Sequence, residues 1–203
     1  MIQQNKGNDA QQMILYVSQY IRYTFRDNRS LVPLQTELNQ VQNYYKLQKL
    51  NTRDSSELTI SADPAVSKFP VPMLCIQTFV ENSFKHGRIS SQPLNVHISV
   101  QLTETEEGNY LNISIQDNGT GFPDEFLQSF LQHTEDAVTG QHIGIHNLRQ
   151  RLTLLYGDQA GLICMNNSSG AMTEIILPIQ EEPNTSSETK SSLLSNENLF
   201  SLS

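Results

Sequence analysis

Glu81-Asn82-Ser83-Phe84-Lys85-His86-Gly87 and Asp117-Asn118-Gly119-Thr120-Gly121-Phe122 are the two stretches of sequence that decide the fold. The first predicts the end of a helix that carries a carboxylate, an amide, an ammonium and an imidazole. The second predicts the end of a strand that runs into a glycine turn. Polar groups of this kind, brought together by a helix end and a strand end, indicate a ligand site rather than a solvated surface.

The helix that ends at Gly87 is predicted to span Pro72–His86, with the proline in its first turn. At 3.6 residues per turn, the apolar stripe consists of Met73, Ile76, Val80 and Phe84. A second arc gathers the groups able to handle phosphate or metal, namely Thr78, Glu81, Asn82, Lys85 and His86. A solvated face would give the same two-sidedness, but asparagine is a poor helix former and histidine is an unusual choice beside carboxylates.

The turn after Asp117 strengthens the functional interpretation. Gly119 and Gly121 permit positive φ and close backbone approach, and Asp117 is placed to accept a hydrogen bond from a buried ligand. A structural Asx-turn would explain Asp117-Asn118-Gly119 equally well. A third motif, Thr139–Asn147, is predicted as a glycine-flanked loop that opens a helix, whose unpaired N–H groups suit a phosphate. Three such motifs in this order predict a nucleotide site.

The chain around these motifs alternates strands and helices and predicts a two-layer α/β sandwich with a mixed sheet, preceded by a helical pair. Further helices are predicted at 123–132 and 144–156, with Gly157 as the cap of the latter, and a hairpin connection at 103–109. The period-two alternation of a sheet with one buried face predicts strands at 58–60, 96–100, 111–115, 162–165 and 173–177.

The N-terminal region carries two apolar stripes at helical spacing. They consist of Ile14, Val17, Ile21 and Phe25, and of Leu34, Leu38, Val41 and Tyr45, with a polar turn at 26–30 between them. A pair of this length cannot bury both stripes alone, so we expect it to pack on the following domain or on a second copy of itself. Three regions are therefore predicted: helices at 1–55, the α/β domain at 56–180, and a disordered, Ser- and Asn-rich tail at 181–203.

Composition excludes several classes of function. The 203 residues carry a net charge of −8, which argues against a sequence-independent grip on nucleic acid or on an anionic membrane. The two cysteines, Cys75 and Cys164, support neither a disulfide framework nor a zinc site. No apolar run is long enough for a membrane span, so we expect a cytoplasmic location.

The order of the motifs resembles the N, G1 and G2 boxes of the GHKL, or Bergerat-fold, ATP-binding domain. The phrase His142-Ile143-Gly144-Ile145-His146-Asn147-Leu148-Arg149-Gln150-Arg151-Leu152 is similar to sensor histidine kinases of the LytS/YehU/YesM type. The helices at 17–23 and 37–49 resemble the dimerisation helices of that family, so the likeness covers about residues 10–180. The resemblance implies an ATP- and Mg²⁺-dependent phosphotransferase that acts in a two-component phosphorelay.

The resemblance also implies roles for individual residues. Asn82 corresponds to the Mg²⁺ ligand, Lys85 to a phosphate contact and His86 to a nucleotide-facing ring, with Glu81, Asn82 and Lys85 as the expected catalytic residues. Asp117 corresponds to the residue that recognises the adenine amino group, in a base pocket lined by Gly119 and Gly121. A mobile segment at about 122–143 would close over the triphosphate, and its end would contribute Ile143, Gly144 and Asn147.

Departures from the family pattern define the alternatives. Thr78 occupies the place of the glutamate that polarises water in hydrolytic relatives, which disfavours ATP hydrolysis. His142 stands where many kinases have a glycine of the G2 box. The phosphoacceptor Pro-His-Phe segment is missing, so we expect a fragment that binds ATP without phosphorylating itself. The alternatives are a GHKL-type serine kinase or ATPase and a non-catalytic module that binds a nucleotide or a partner.

The expected partners follow from the same resemblance. They are a response regulator, which would receive the phosphoryl group, and a second copy of the chain, bound through the N-terminal helices. In a full-length kinase, this region would be the cytosolic portion of a membrane-anchored protein.

Overall fold

A five-stranded mixed sheet organises the α/β part of the molecule. The computed structural model describes residues 13–19, 21–23, 31–52, 55–89, 92–106, 108–132 and 142–179. The strands are β2 (Glu57–Ala62), β4 (Asn95–Thr105), β5 (Gly108–Asp117), β6 (Gly161–Asn166) and β7 (Ala171–Pro178). Their order in the sheet is β2-β4-β5-β7-β6, and of the neighbouring pairs only β2 and β4 run parallel.

Helices cover one face of this sheet. They are α3 (Gln77–His86), α4 (Asp124–Gln132) and α5 (Ile143–Tyr156), which ends at Gly157 with a positive φ. Along β5, the side chains of Leu111, Ile113 and Ile115 are buried against them, whereas the alternating residues are only half-buried. This period of two explains why a single strand closes the core on one face and meets solvent on the other.

The N-terminal region adds two helices and a small ribbon. Residues 13–19 and 21–23 are helical and are called α1, and α2 spans Leu34–Thr52. Strand β1 (Leu31–Pro33) pairs antiparallel with β3 (Pro70–Pro72), the segment that leads to α3. Along α2, Leu34, Leu38 and Val41 are buried. The β1–β3 pairing and the buried side chains of α2 hold α2 against the segment that precedes α3.

The predicted two-layer sandwich with a mixed sheet and a preceding helical segment is confirmed, as are the five strands and the 103–109 hairpin. The predicted start of α3 is wrong. Pro72 ends β3, residues 73–76 form a turn, and the helix begins at Gln77. The reason is the pairing of β1 with β3, which keeps Pro70–Pro72 extended.

Several predictions fall outside the described residues. They concern Phe25, the turn at 26–30, the tail at 181–203 and residues 133–141 of the segment at 122–143. The boundaries of the three predicted regions stay predictions. Within the described ranges, no helix has the length and apolar character to cross a bilayer.

Candidate functional site

A cavity of about 150 Å³ opens between α3, the ends of β5 and β7, and the first residue before α5. One wall is a stripe of α3 at spacings of three and four, formed by Phe79, Asn82, Ser83 and His86. The remaining lining residues are Gly87, Ile115, Asp117, Thr120, Gly121, Phe122, Pro123, His142, Ala171 and Thr173. Two of the sequence motifs and His142 of the third therefore meet at one site.

This stripe divides the polar arc that the sequence predicts for α3. Asn82 and His86 line the cavity, whereas Thr78, Glu81 and Lys85 do not. The Lys85 ammonium lies 2.9 Å from a Glu81 carboxylate oxygen, and the lysine side chain is 57% exposed. An exposed pair of this kind contributes only about 0.3–0.5 kcal/mol. Glu81 and Lys85 therefore form a surface ion pair beside the cavity.

Asp117 is the buried acid of the site, with 5% of its surface exposed. Its Oδ1 accepts hydrogen bonds from the backbone N–H groups of Gly119 (2.9 Å) and Ala171 (3.2 Å), and its Oδ2 accepts one from the Ser83 hydroxyl (2.5 Å). Two carboxylate oxygens offer about four acceptor positions. Three are used by these donors, so one position on Oδ2 remains for a ligand. Asp117 therefore closes an Asx-turn and also presents a carboxylate oxygen to the cavity.

Close backbone approach brings the glycine turn onto the end of α3. A Cβ on Gly119 would lie 2.6 Å from the Gly87 Cα, so only glycine fits at position 119. The Thr120 N–H and hydroxyl donate to the carbonyls of Gly87 (3.2 Å) and His86 (3.0 Å). At the floor of the cavity, the backbone of residues 119–120 therefore packs directly on the backbone of residues 86–87.

Gly121 has the positive φ that the sequence predicts, +78°. The next residue, Phe122, is held by the Asn166 side chain, whose Oδ1 accepts from the Phe122 N–H at 2.7 Å. The Asn166 Nδ2 donates to the Phe122 carbonyl at 2.8 Å. Strand β6 therefore fixes the point at which the chain leaves the cavity.

Two polar atoms in the cavity wall are buried without a hydrogen-bond partner. They are Nδ2 of Asn82 and Nδ1 of His142. The His142 ring packs on Phe126 (4.3 Å between centroids) and lies 6.3 Å from the His86 ring. Burial, supported by the nearby His86 and His146, lowers the pKa of His142, so the imidazole is neutral near pH 7. A buried polar group without a partner costs free energy, which a polar ligand would relieve.

The predicted residues of α5 lie beside the cavity and do not line it. Ile143, Gly144 and Asn147 are exposed on the first turns of the helix. Gly144 abuts α3, because a Cβ there would lie 3.1 Å from the Thr78 methyl. Among the described residues, no cluster of three or more His, Cys, Asp or Glu could hold a metal.

Ser83, Phe79 and Thr173 also line the cavity, although none of them was among the predicted site residues. A signal for the first two was present, because positions 79, 82, 83 and 86 follow the spacing of one helical stripe. Thr173 lies on β7, and only the sheet order brings it opposite Ile115 in the cavity wall.

Comparison with known proteins gives consistent matches. The family of histidine kinase-, DNA gyrase B-, and HSP90-like ATPases matches residues 71–183, and a histidine kinase family matches residues 1–56. The sensor protein LytS of Staphylococcus epidermidis is 31% identical over 83% of this chain and 28% of its own length. The sensor protein kinase HptS of Staphylococcus aureus is 29% identical over 75% of this chain and 29% of its own.

A solved structure has the same fold. The nucleotide-free catalytic domain of histidine kinase ThkA superposes with a TM-score of 0.55 at 13% identity, covering 74% of this chain and 95% of that domain. The chain spans only about 28–30% of the length of the curated relatives it matches.

Proposed function

The chain belongs to the family of histidine kinase-, DNA gyrase B-, and HSP90-like ATPases, and from this membership we propose that it is the ATP-binding catalytic domain of a two-component sensor histidine kinase. In the whole protein, the domain would present the γ-phosphoryl group of ATP to a histidine, from which it would pass to an aspartate of a response regulator. The histidine kinase match at residues 1–56 and the similarity to LytS and HptS support this choice within the family.

The free acceptor position on Asp117 is the observation that carries the proposal. An adenine amino group is a hydrogen-bond donor, and a buried carboxylate is an acceptor only. The cavity of about 150 Å³ is smaller than the ~300–1,000 Å³ of a site for a complete drug-sized ligand. We therefore assign this cavity to the base, with Ile115 and Gly121 beside it, and we place the phosphates towards Asn82 and the start of α5.

Among the described residues, we assign Mg²⁺ a single protein ligand, Asn82. Asn82 lines the cavity and carries an amide oxygen, and Mg²⁺ is commonly held by one or two protein oxygens together with the phosphates. Asn82 would hold the ion, which neutralises charge on the phosphates when bound. Lys85 would have to leave Glu81 to reach a phosphate. Asn82 orients the nucleotide, and His142 and Phe122 exclude water from the base.

The surroundings of Thr78 argue against a hydrolytic ATPase. Its hydroxyl donates to the Leu74 carbonyl at 2.7 Å, and its methyl group faces Gly144. A threonine is not a base at neutral pH, and here its hydroxyl is also occupied. The carboxylate nearest to it on α3, Glu81, accepts from Gln77 and pairs with Lys85 outside the cavity. Neither Thr78 nor Glu81 lines the cavity.

Dimerisation through the N-terminal helices is part of the proposal. Ile14 and Ile21 of α1 are 67% and 48% exposed, although they form one apolar stripe at helical spacing. An uncovered apolar stripe of this kind suits a second copy of the same helices. A membrane anchor and the response regulator belong to the whole protein and are proposed on the likeness to sensor kinases alone.

Calorimetric titration of the chain with ATP, with Mg²⁺ and with EDTA, tests the proposal together with γ-labelled ATP. We expect binding that is tighter with Mg²⁺ and no label retained on this chain, because all five histidines, at 86, 97, 133, 142 and 146, belong to the nucleotide-binding region. Phosphate release without a protein acceptor would favour a hydrolytic ATPase. Acid-stable label would favour a serine kinase, and a folded chain that binds no nucleotide would favour a non-catalytic module.

A further inference from the structure

A buried carboxylate of α2 joins the helical region to the nucleotide site. Glu37 is 0% exposed. Its Oε1 accepts hydrogen bonds from the Tyr23 hydroxyl of α1 and from the Leu74 N–H (2.6 Å), and its Oε2 accepts one from the Ile76 N–H (3.2 Å). Burial raises the pKa of Glu37, against the effect of these donors. An uncompensated buried acid is costly, and these hydrogen bonds offset the cost of burying Glu37.

The two backbone donors lie in the turn that leads into α3. Leu74 has φ +64°, a conformation that strains any residue other than glycine and persists only where the surroundings enforce it. Ile76 occupies the N-cap position of α3, and its apolar side chain makes no capping bond. Glu37 therefore serves as the cap from another element, and its carboxylate lies at the positive end of the helix dipole.

This turn sets the position of the cavity wall. From Ile76, α3 runs directly through Phe79, Asn82 and His86, and Asn82 lies about 9 Å along the axis at 1.5 Å per residue. A short helix moves as a rigid unit, so a shift of its first turn moves these side chains together.

The same cluster extends to α5. Cys75, next to both backbone donors, is fully buried. The guanidinium of Arg151 on α5 lies close enough to interact electrostatically with Cys75, Glu37 and Tyr23. His142, the residue before α5, lines the side of the cavity opposite α3. The cluster thus contacts each of the helices α1, α2 and α5 and the turn before α3.

We propose that Glu37 is a positioning residue for the nucleotide site, which fixes the first turn of α3 from α2 and so couples nucleotide affinity to the position of the N-terminal helices. The proposal rests on the proposed function, because it concerns regulation of that site. Coupling of this kind is reciprocal, so a bound nucleotide would also resist displacement of α2.

The test compares Glu37→Gln with a matched control, Val41→Ala. Glutamine keeps the shape but places an amide NH₂ against one of the backbone N–H donors, so that hydrogen bond of the cap is lost. Val41 lies one turn further along α2, is equally buried and belongs only to the apolar core. Both variants are measured for unfolding in urea, for ADP affinity by calorimetry, and for amide hydrogen exchange by mass spectrometry.

We expect Glu37→Gln to lower ADP affinity about tenfold, within the ~5–150-fold range typical of coupled sites, and to accelerate exchange at residues 76–82. Val41→Ala should lose stability and keep its affinity within about twofold, because coupling through the cap is intact. Unchanged affinity in folded Glu37→Gln would overturn the proposal. So would losses of affinity in both variants that merely follow their loss of stability.

The proposed function and this inference can fail separately. If the wild-type chain bound no nucleotide, the proposed function would fail. Unchanged amide exchange at residues 76–82 in Glu37→Gln would overturn this inference, whether or not the chain binds nucleotide. If Glu37→Gln did not fold, Tyr23→Phe replaces it. That variant removes the α1 donor that holds the Glu37 carboxylate against the Leu74 and Ile76 N–H groups, so both backbone bonds should weaken. Faster exchange at residues 76–82 would support the proposal, and unchanged exchange would overturn it.

Discussion

Replacement of Asp117 by asparagine should remove adenine recognition and leave the turn intact. The asparagine carbonyl can take the place of Oδ1 and keep the bonds from the Gly119 and Ala171 N–H groups. Its NH₂ group then takes the place of Oδ2, and the Ser83 hydroxyl, which now donates at 2.5 Å, can turn and accept. The single acceptor position left for the ligand becomes a donor.

The expected magnitudes separate binding from folding. An adenine amino group left without its acceptor costs about 1–3 kcal/mol, which corresponds to a ~5–150-fold weaker Kd. Asp117→Ala would in addition leave the Ser83 hydroxyl and two backbone N–H groups unpaired, at ~1–3 kcal/mol each. We therefore expect the alanine variant to lose several times more unfolding free energy than the asparagine variant, which should stay within about 1 kcal/mol of the wild-type chain.

Calorimetry with ATP and GTP in excess Mg²⁺, with urea unfolding of the same samples, tests this reasoning. The guanine carbonyl is an acceptor, so the wild-type carboxylate repels it, whereas an asparagine NH₂ can donate a hydrogen bond to it. The preference for ATP over GTP should therefore be smaller in Asp117→Asn than in the wild-type chain, or reversed. Ser83→Ala is the control, because it keeps the carboxylate and removes only one of its donors. Wild-type ATP affinity in a folded Asp117→Asn chain would refute the assignment of the base.

The remaining predictions concern other groups of the site and the core. In calorimetric titrations, Asn82→Ala should weaken ATP binding strongly when Mg²⁺ is present and only a little in EDTA, because the amide oxygen binds the metal and not the nucleotide. Equal losses of affinity under both conditions would indicate damage to α3. Burial raises the pKa of Cys164 to about 12 and that of Cys75 well above its usual value, so neither thiol should react with a disulfide reagent near pH 8 until the chain unfolds; rapid native labelling would contradict their burial. Because the pKa of His142 is lowered on folding, the unfolded chain binds more protons as pH falls through ~6.5, and stability falls with it. His142→Phe should therefore show a shallower loss of unfolding free energy between about pH 7 and pH 5 in urea titrations, and an unchanged slope would exclude this contribution.

Local patterns in the sequence were sufficient for the sheet and for the turn after Asp117. Alternation along β5 depends only on which face is buried, and an Asp-Asn-Gly turn depends on neighbouring residues, so both are visible without tertiary information. The mixed sheet followed from the order of strands and helices.

Long-range hydrogen bonds explain what the sequence could not predict. A glutamate on a predicted helix is usually solvated, and nothing local indicates that Glu37 reaches the N–H groups of Leu74 and Ile76, 37 and 39 residues further on. Because of those hydrogen bonds and the β1–β3 pairing, α3 begins at Gln77 and not at Pro72. The division of the polar arc was not visible in the sequence for a related reason, since the surroundings of the helix decide whether Glu81 and Lys85 face the cavity or pair with each other.

The contact between Gly119 and Gly87 has a genetic consequence. A methyl group at position 119 would collide with main-chain atoms of Gly87, and glycine is already the smallest residue there. No exchange at position 87 could therefore rescue a Gly119→Ala allele. In a selection for revertants, true reversion should dominate, and any second-site suppressor should map to segments that let the two backbones separate, such as the Thr120 bonds to the end of α3. The lineage that carries this site would be expected to change both glycines rarely, and never as a compensating pair.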